Sequence, residues 1–356
     1  MAVSSVNGEA SSATKSVQNA QNAQVGWMIA NVPAMSPIST EQWPPGTNLQ
    51  LPQLADHFDI PHLRLLQNWT SSTCHTISRN DTDSSVWENI IPQQALSHPY
   101  LFHGIFAISA LHLAVSEKQD NDGRKKLITV AEYHQSKAIT SLTRIIGNMQ
   151  LSQLNASFAL STLLVGFAFA FPLAVTQHAK DASNPLEEMI ELAMFIRKTM
   201  DFSAPMMESI QAGEMGQILH IDEAQWGLTD SSRLAIMALY ELNMVHSSCH
   251  ENFEVFTDTL NHLEKLLANL DSGGDLVSAS FMWICEVPAE FFWLVRGRDP
   301  VALVILAHYS VILHRLRDRW WVSSWGQRVL MGILDILSAD WKPSIDWALK
   351  VANLDL

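Results

Sequence analysis

From Leu54 to the end of the chain, apolar side chains recur at spacings of three and four and strict alternation is rare, which predicts helices throughout. The densest stretch runs from Arg298 to Trp325. Asp299 suits an N-cap and Pro300 the first helical turn, where a missing N–H costs nothing. Val301, Leu303, Val304, Leu306, Ala307, Val311, Ile312, Leu313 and Leu316 then lie on nearly every side of the helix, and a helix apolar all round belongs in the interior. Arg315, Arg317 and Arg319 sit where the C-terminal end of the helix dipole favours cations. Trp320 and Trp321 form a corner, and Ser323 or Ser324 can cap a second helix from Trp325 to about Leu337.

Other helices are expected at His57–Ser78, at Trp87–Ser97 around Pro92, at Pro99–Val115 and at Lys125–Asn148, with a polar turn at Arg79–Ser85. Asn155 opens an apolar run, Ala156–Val175, that reaches membrane-spanning length, but Ser157, Ser161, Thr162, Pro172 and the lack of a basic flank favour a buried helix from about Leu154 to Phe171. Further helices are expected at Leu186–Met200, Met206–Leu219, Ser231–Ser247, Asn252–Leu270, Leu276–Trp283 and Ala289–Val295. The segment holding Trp341, Ile345 and Trp347 should pack back on the body. Neither a repeat nor a linker divides the helices. The expectation is an all-α fold: a single multi-helix array, residues 51–356, around a buried central helix. Residues 1–50, rich in Ser, Ala, Asn and Gln with Lys15 as their one cation, read as a disordered leader.

Composition sharpens this picture. Hydrophobic residues make up 47% of 356 and charged residues only 16%, which implies a large interior or surfaces covered by a partner. The formal net charge of -14 repels phosphate backbones, and no dense basic patch offsets it, so direct nucleic-acid binding is not expected. Three separated cysteines build no zinc knuckle and no disulfide framework. The His57/His62, His98/His103 and His308/His314 pairs do not share a helix face squarely, and HExxH, GxSxG, GxGxxG and GxxxxGK[ST] motifs are absent. No catalytic residue, metal or cofactor is therefore assigned. The aromatic residues near the C-terminus are the stronger signal. Trp283, Phe291, Phe292, Trp293, Trp320, Trp321 and Trp325, with Phe281, flank the Pro300 helix and are candidate walls of an apolar ligand cavity, with His308 and Arg315 as polar contacts. The competing reading is a filled aromatic core.

Two blocks carry a family resemblance. Trp87–Ala114 reads W-x₂-I-I-P-x₂-A-L-S-H-P-Y-L-F-H-G-I-F-A-I-S-A-L-H-L-A. Cys285–Phe292 reads C-E-V-P-A-E-F-F and leads into the run from Arg296 to Gly326. Together they resemble the C-terminal regulatory domain of fungal zinc-cluster transcription factors of the sterol-uptake-regulator type. That resemblance implies an all-α domain that senses an apolar small molecule, sterol-like in the best-known relatives, and controls transcription. Family members carry a basic six-cysteine cluster near the N-terminus, whereas residues 1–50 contain no cysteine. The expectation is a regulator without its own DNA-binding segment, in the nucleus or in cytoplasm and nucleus. It would act through a partner transcription factor or an apolar ligand in a fungal secondary metabolic pathway, with a homodimer among the assemblies considered. The alternative is a metal-free, cofactor-free enzyme that cyclises or isomerises an apolar metabolite in the same scaffold.

Overall fold

The computed structural model describes residues 60–116, 121–176, 184–220, 227–247 and 252–353. The expected leader, His57, Phe58 and Cys249 lie outside these residues. Every regular element among them is helical. Helix α1 (Ile60–Asn68) continues through a π-helical turn, Trp69–Thr73, into a last turn at Cys74–Ile77. The expected polar turn at Arg79–Ser85 is instead mostly helix. In it, α2 (Asp81–Ser85) is held by a capping box, Asn80 accepting from the backbone of Asp83 while the Asp83 carboxylate accepts from the Asn80 N–H. A second π turn, Val86–Ile90, leads to α3 (Ile91–Ser97). The indole of Trp69 donates to the Trp87 carbonyl at 3.2 Å, so the two π turns are joined edge to face.

The long elements come next: α4 (Pro99–Ser116), α5 (Asn121–Ile146), α6 (Leu154–Thr176) and α7 (Pro185–Ser203). Helix α4 and the segment Leu151–Val175 are long and apolar enough to cross a membrane, yet 83% and 72% of their apolar windows are buried inside the protein. Helix α6 runs through Pro172, past the expected end at Phe171. The expected Met206–Leu219 helix is broken into a 3₁₀ turn, α8 (Met207–Gln211) and a second 3₁₀ turn, Gly216–Leu219. A side chain at Gly216 would press on the backbone of Gln211, 3.1 Å from its carbonyl carbon, so the break depends on that glycine.

The C-terminal half adds α9 (Asp230–Ser247), α10 (Phe253–Asp271), α11 (Leu276–Glu286), α12 (Ala289–Arg296), α13 (Pro300–Arg315), α14 (Trp325–Ile336) and α15 (Asp346–Val351). Asp299 caps α13 as expected, accepting from Val301 and Ala302 at 2.9 and 3.1 Å. Every residue of α13 from Val301 through Leu313 is buried, enclosed by α9 to α12, α14 and α15. Two of its polar side chains turn back on the helix itself: His308 Nδ1 lies 2.8 Å from the Val304 carbonyl, and the Ser310 hydroxyl donates to Leu306. Arg315 is exposed at the helix end, where the dipole favours it. Arg319 does something else. Its guanidinium donates to the carbonyls of Thr76 and Ser78 and so caps the end of the first helical run. Ser324 occupies the N-cap position of α14 but accepts no side-chain capping bond.

Helices α13 and α14 meet at Gly326. A Cβ there would lie 2.6 Å from the Ser310 carbonyl oxygen and 2.7 Å from the Cα of His314, both rigid helix backbone. Gly326→Ala should therefore push the helices apart and cost about 1–3 kcal/mol of stability, read as a lower urea midpoint. A variant with an unchanged midpoint would show that the contact is loose.

Candidate functional site

A cavity of about 230 Å³ lies between α6, α7 and α11, closed at one end by the chain around Arg79. Phe158, Leu163, Val165 and Gly166 form one wall, Ile196 and Met200 a second, and Val277, Phe281 and Met282 a third. Several of these stay only partly buried although their helices are apolar. Val165, Gly166, Val277, Phe281 and Met282 each turn part of their surface to the void. Gly166 helps keep the space open, since the nearest atom to a side chain there would be Ile108 Cδ1 at 3.7 Å.

The closed end is a charged cluster. Arg79 Nε donates to Asp83 at 2.8 Å, and Nη1 donates to Asp275 at 2.8 Å and to the Ser278 hydroxyl at 2.6 Å. Nη2 donates to the carbonyls of Ile218 at 2.7 Å and Gln217 at 3.2 Å. The five N–H groups of a guanidinium are thus all engaged. The side chains are 10%, 1% and 11% exposed for Arg79, Asp83 and Asp275. Each carboxylate also serves its own helix, since Asp83 closes the capping box of α2 and Asp275 caps α11 through the Ser278 N–H. Reading Arg79–Ser85 as a polar turn missed this cluster. The available signal was Asn80 three residues ahead of Asp83, a capping-box spacing.

The remaining polar lining is quiet. The hydroxyls of Thr162 and Thr199 donate back to the carbonyls of Phe158 and Phe195. Burial pushes the Cys285 thiol up to about 12, so it stays protonated and a poor nucleophile. Arg197 lies close by, but its guanidinium is held by the carbonyls of Ile284, Cys285 and Val287 at the end of α11. No three His, Cys, Asp or Glu side chains among the described residues converge to hold a metal ion.

Of the eight residues proposed from the sequence, Trp321 lines this cavity, stacked at 6.1 Å against Phe281. Five others are packed into the core beside it. Trp325 is fully buried, its indole donating to the Phe169 carbonyl at 2.8 Å. Trp283 stacks on Tyr309 at 4.1 Å and meets Phe291 edge on, and Phe291 in turn packs on Phe292. His308 stacks at 5.2 Å on Trp347, which confirms the return of the C-terminal segment onto the body. Trp320 is half-buried, stacked on His112 and bonded to the Thr76 hydroxyl. Trp293 is 55% exposed on the surface under the Arg296 guanidinium. Aromatic rings at helical spacing find one another, and here most of their faces are used up in mutual stacking.

Comparison with known proteins bears on what such a site serves. Residues 64–183 match the fungal specific transcription factor domain. The matched range contains the first sequence block, Trp87–Ala114, and the whole of α4, α5 and α6. The chain is 21% identical over 309 residues to a Zn(2)-C6 fungal-type transcription factor of Gibberella zeae, a match covering 82% of this chain and 62% of the relative. It is 23% identical over 311 residues to sterol uptake control protein 2 of Candida albicans, covering 78% of this chain and 40% of that protein. The chain thus spans less than two thirds of either relative. The similarity to the regulatory region of fungal zinc-cluster transcription factors, indicated by the two blocks, stands.

Two outcomes follow from the site and its surroundings. Arg79→Met leaves two buried carboxylates without their cation, and should cost about 3–5 kcal/mol in urea unfolding; a loss below about 1 kcal/mol would mean that the cluster is well hydrated. Burial lowers His308 to about 4, as it does His112. Between the ordinary histidine value near 6.5 and pH 4 the unfolded chain therefore binds protons that the folded chain refuses. Stability is full above about pH 6.5 and falls as pH drops to about 4, by roughly 3 kcal/mol for His308 alone. His308→Phe should flatten that part of the profile, measured by urea unfolding at pH 7 and pH 5, and an unaltered slope would refute it.

Proposed function

We propose that this chain is a transcriptional regulator whose helical body senses an apolar small molecule through the cavity between α6, α7 and α11. The observation that carries the reading is the coincidence of two findings. Helix α6, one wall of the cavity, lies within the range that matches a fungal specific transcription factor domain. One relative is named for the control of sterol uptake and another as a zinc-cluster transcription factor, which supports a regulatory role in the nucleus. The net charge of -14 opposes a direct grip on DNA by the helical body, so action through a partner transcription factor is part of the proposal. Control of a fungal secondary metabolic pathway is the setting we favour.

The enzymatic alternative has less to support it. The ionisable groups bordering the cavity are a protonated thiol at Cys285 and the mutually paired Arg79 and Asp83, and none is free to move a proton. A cavity of this kind binds more readily than it catalyses.

The test is genetic and biochemical together. A strain lacking the chain should show several-fold changes in a coherent set of transcripts, and a strain with Val165→Phe, which fills the cavity, should reproduce them. Transcript profiles unchanged in the deletion strain would remove the regulatory reading. Turnover of an apolar intermediate by the purified protein would replace it with the enzyme.

A further inference from the structure

The volume and the closed end of the cavity narrow the ligand further than the relatives' names do. We propose that it takes a compact, neutral, largely hydrocarbon molecule of one or two rings, with at most a single hydroxyl, and that it rejects both carboxylates and complete sterols. This inference rests on the reading of the cavity as a receptor site.

Size is the first constraint. The volume of about 230 Å³ exceeds the roughly 150 Å³ of an engineered cavity that admits benzene, but falls short of the roughly 300–1,000 Å³ typical of pockets for drug-sized ligands. A tetracyclic sterol, with about thirty non-hydrogen atoms, belongs to the larger class. Met200, Met207 and Met282 line the space and let its shape adapt, since an unbranched thioether side chain has several low-energy conformations.

Charge is the second. Arg79 borders the cavity, and a lone guanidinium there would invite a fatty-acid carboxylate. Every N–H of Arg79 is already bonded within the protein, and two carboxylates, Asp83 and Asp275, face the single cation. The cluster carries a net negative charge beside an apolar wall, which repels an incoming anion and offers it no donor. A hydroxyl fares better. Thr162 and Thr199 give their protons to backbone carbonyls, and each oxygen keeps a lone pair that can accept from an alcohol. The thiol of Cys285, held protonated by burial, makes no covalent bond to the guest.

The experiment is a calorimetric titration of the purified full chain with menthol, a ten-carbon ring alcohol, with decanoate, a ten-carbon anion, and with cholesterol. Menthol should bind, decanoate at least tenfold more weakly, and cholesterol not measurably. Val165→Phe should weaken menthol at least tenfold. Met282→Ala, which only enlarges the space, should shift preference toward a larger neutral alcohol, and it carries the test if Val165→Phe does not fold. Decanoate or cholesterol binding as well as menthol would overturn the proposed class while leaving a receptor cavity in place. Binding of none of the three would overturn the receptor reading itself. A size preference unmoved in Met282→Ala would place the bound alcohol outside this cavity.

Discussion

The structure depends on enclosing α13 completely. A helix buried from Val301 through Leu313 has no solvent to fall back on, so each polar atom it carries must be paired inside and each neighbour must fit its surface. His308 and Ser310 turn back onto their own helix, while the Tyr309 hydroxyl reaches the Ser280 carbonyl on α11. Helix α14 approaches so closely that only a residue without a side chain fits at 326. The aromatic stacks of Trp283 on Tyr309 and Trp347 on His308 complete the jacket. These rings are spent on one another, and the free space lies elsewhere, between α11, α6 and α7.

There the energetics change character. The walls are apolar and under-packed, and the order comes from the charged cluster at their end. A buried ion pair is weak evidence for stability when considered alone, because desolvation offsets much of the attraction. Here its role is positional. Arg79 joins the end of the first helical run to the 3₁₀ turn at Gly216–Leu219 and to the start of α11, elements with no other short path between them in the chain. A void flanked by movable methionines keeps its outline because that end is fixed.

How much of this was legible beforehand follows from the range of each interaction. The fold class, α13, its Asp299 cap and the short connection to α14 were readable because they are written in neighbouring residues: an all-round apolar pattern, a capping residue and a proline at the first turn. The break after Met206 was partly readable, since Gly213 and Gly216 stand in the sequence, but a continuous apolar periodicity concealed it. Only the local half of the Arg79 cluster was readable, from the capping-box spacing of Asn80 and Asp83. Its other partners, on Gln217, Ile218, Asp275 and Ser278, lie 138 to 199 residues away, and no local pattern encodes that distance. Arg319 was misread for the same reason: a cation near a helix end suits the dipole, but its bonds run to Thr76 and Ser78. The two π turns escaped too, because one extra residue in a turn leaves apolar spacing nearly unchanged. Which of the aromatic residues would line a cavity is decided by packing across the whole body, and of the eight candidates Trp321 lines the one between α6, α7 and α11.

The bond from the Trp325 indole to the Phe169 carbonyl has a consequence for where this protein can be divided. Similarity draws a border at residue 183, shortly after α6 ends. Folding draws no border there: α6 completes its surroundings with α7, α11 and a tryptophan from α14, and Asp83 shares its cation with Asp275, far beyond that border. A piece cut at 183 would show water a long greasy flank and an unbalanced charge. The segment that similarity makes most recognisable is thus fastened to the rest of the helical body by buried contacts on both its apolar and its charged side.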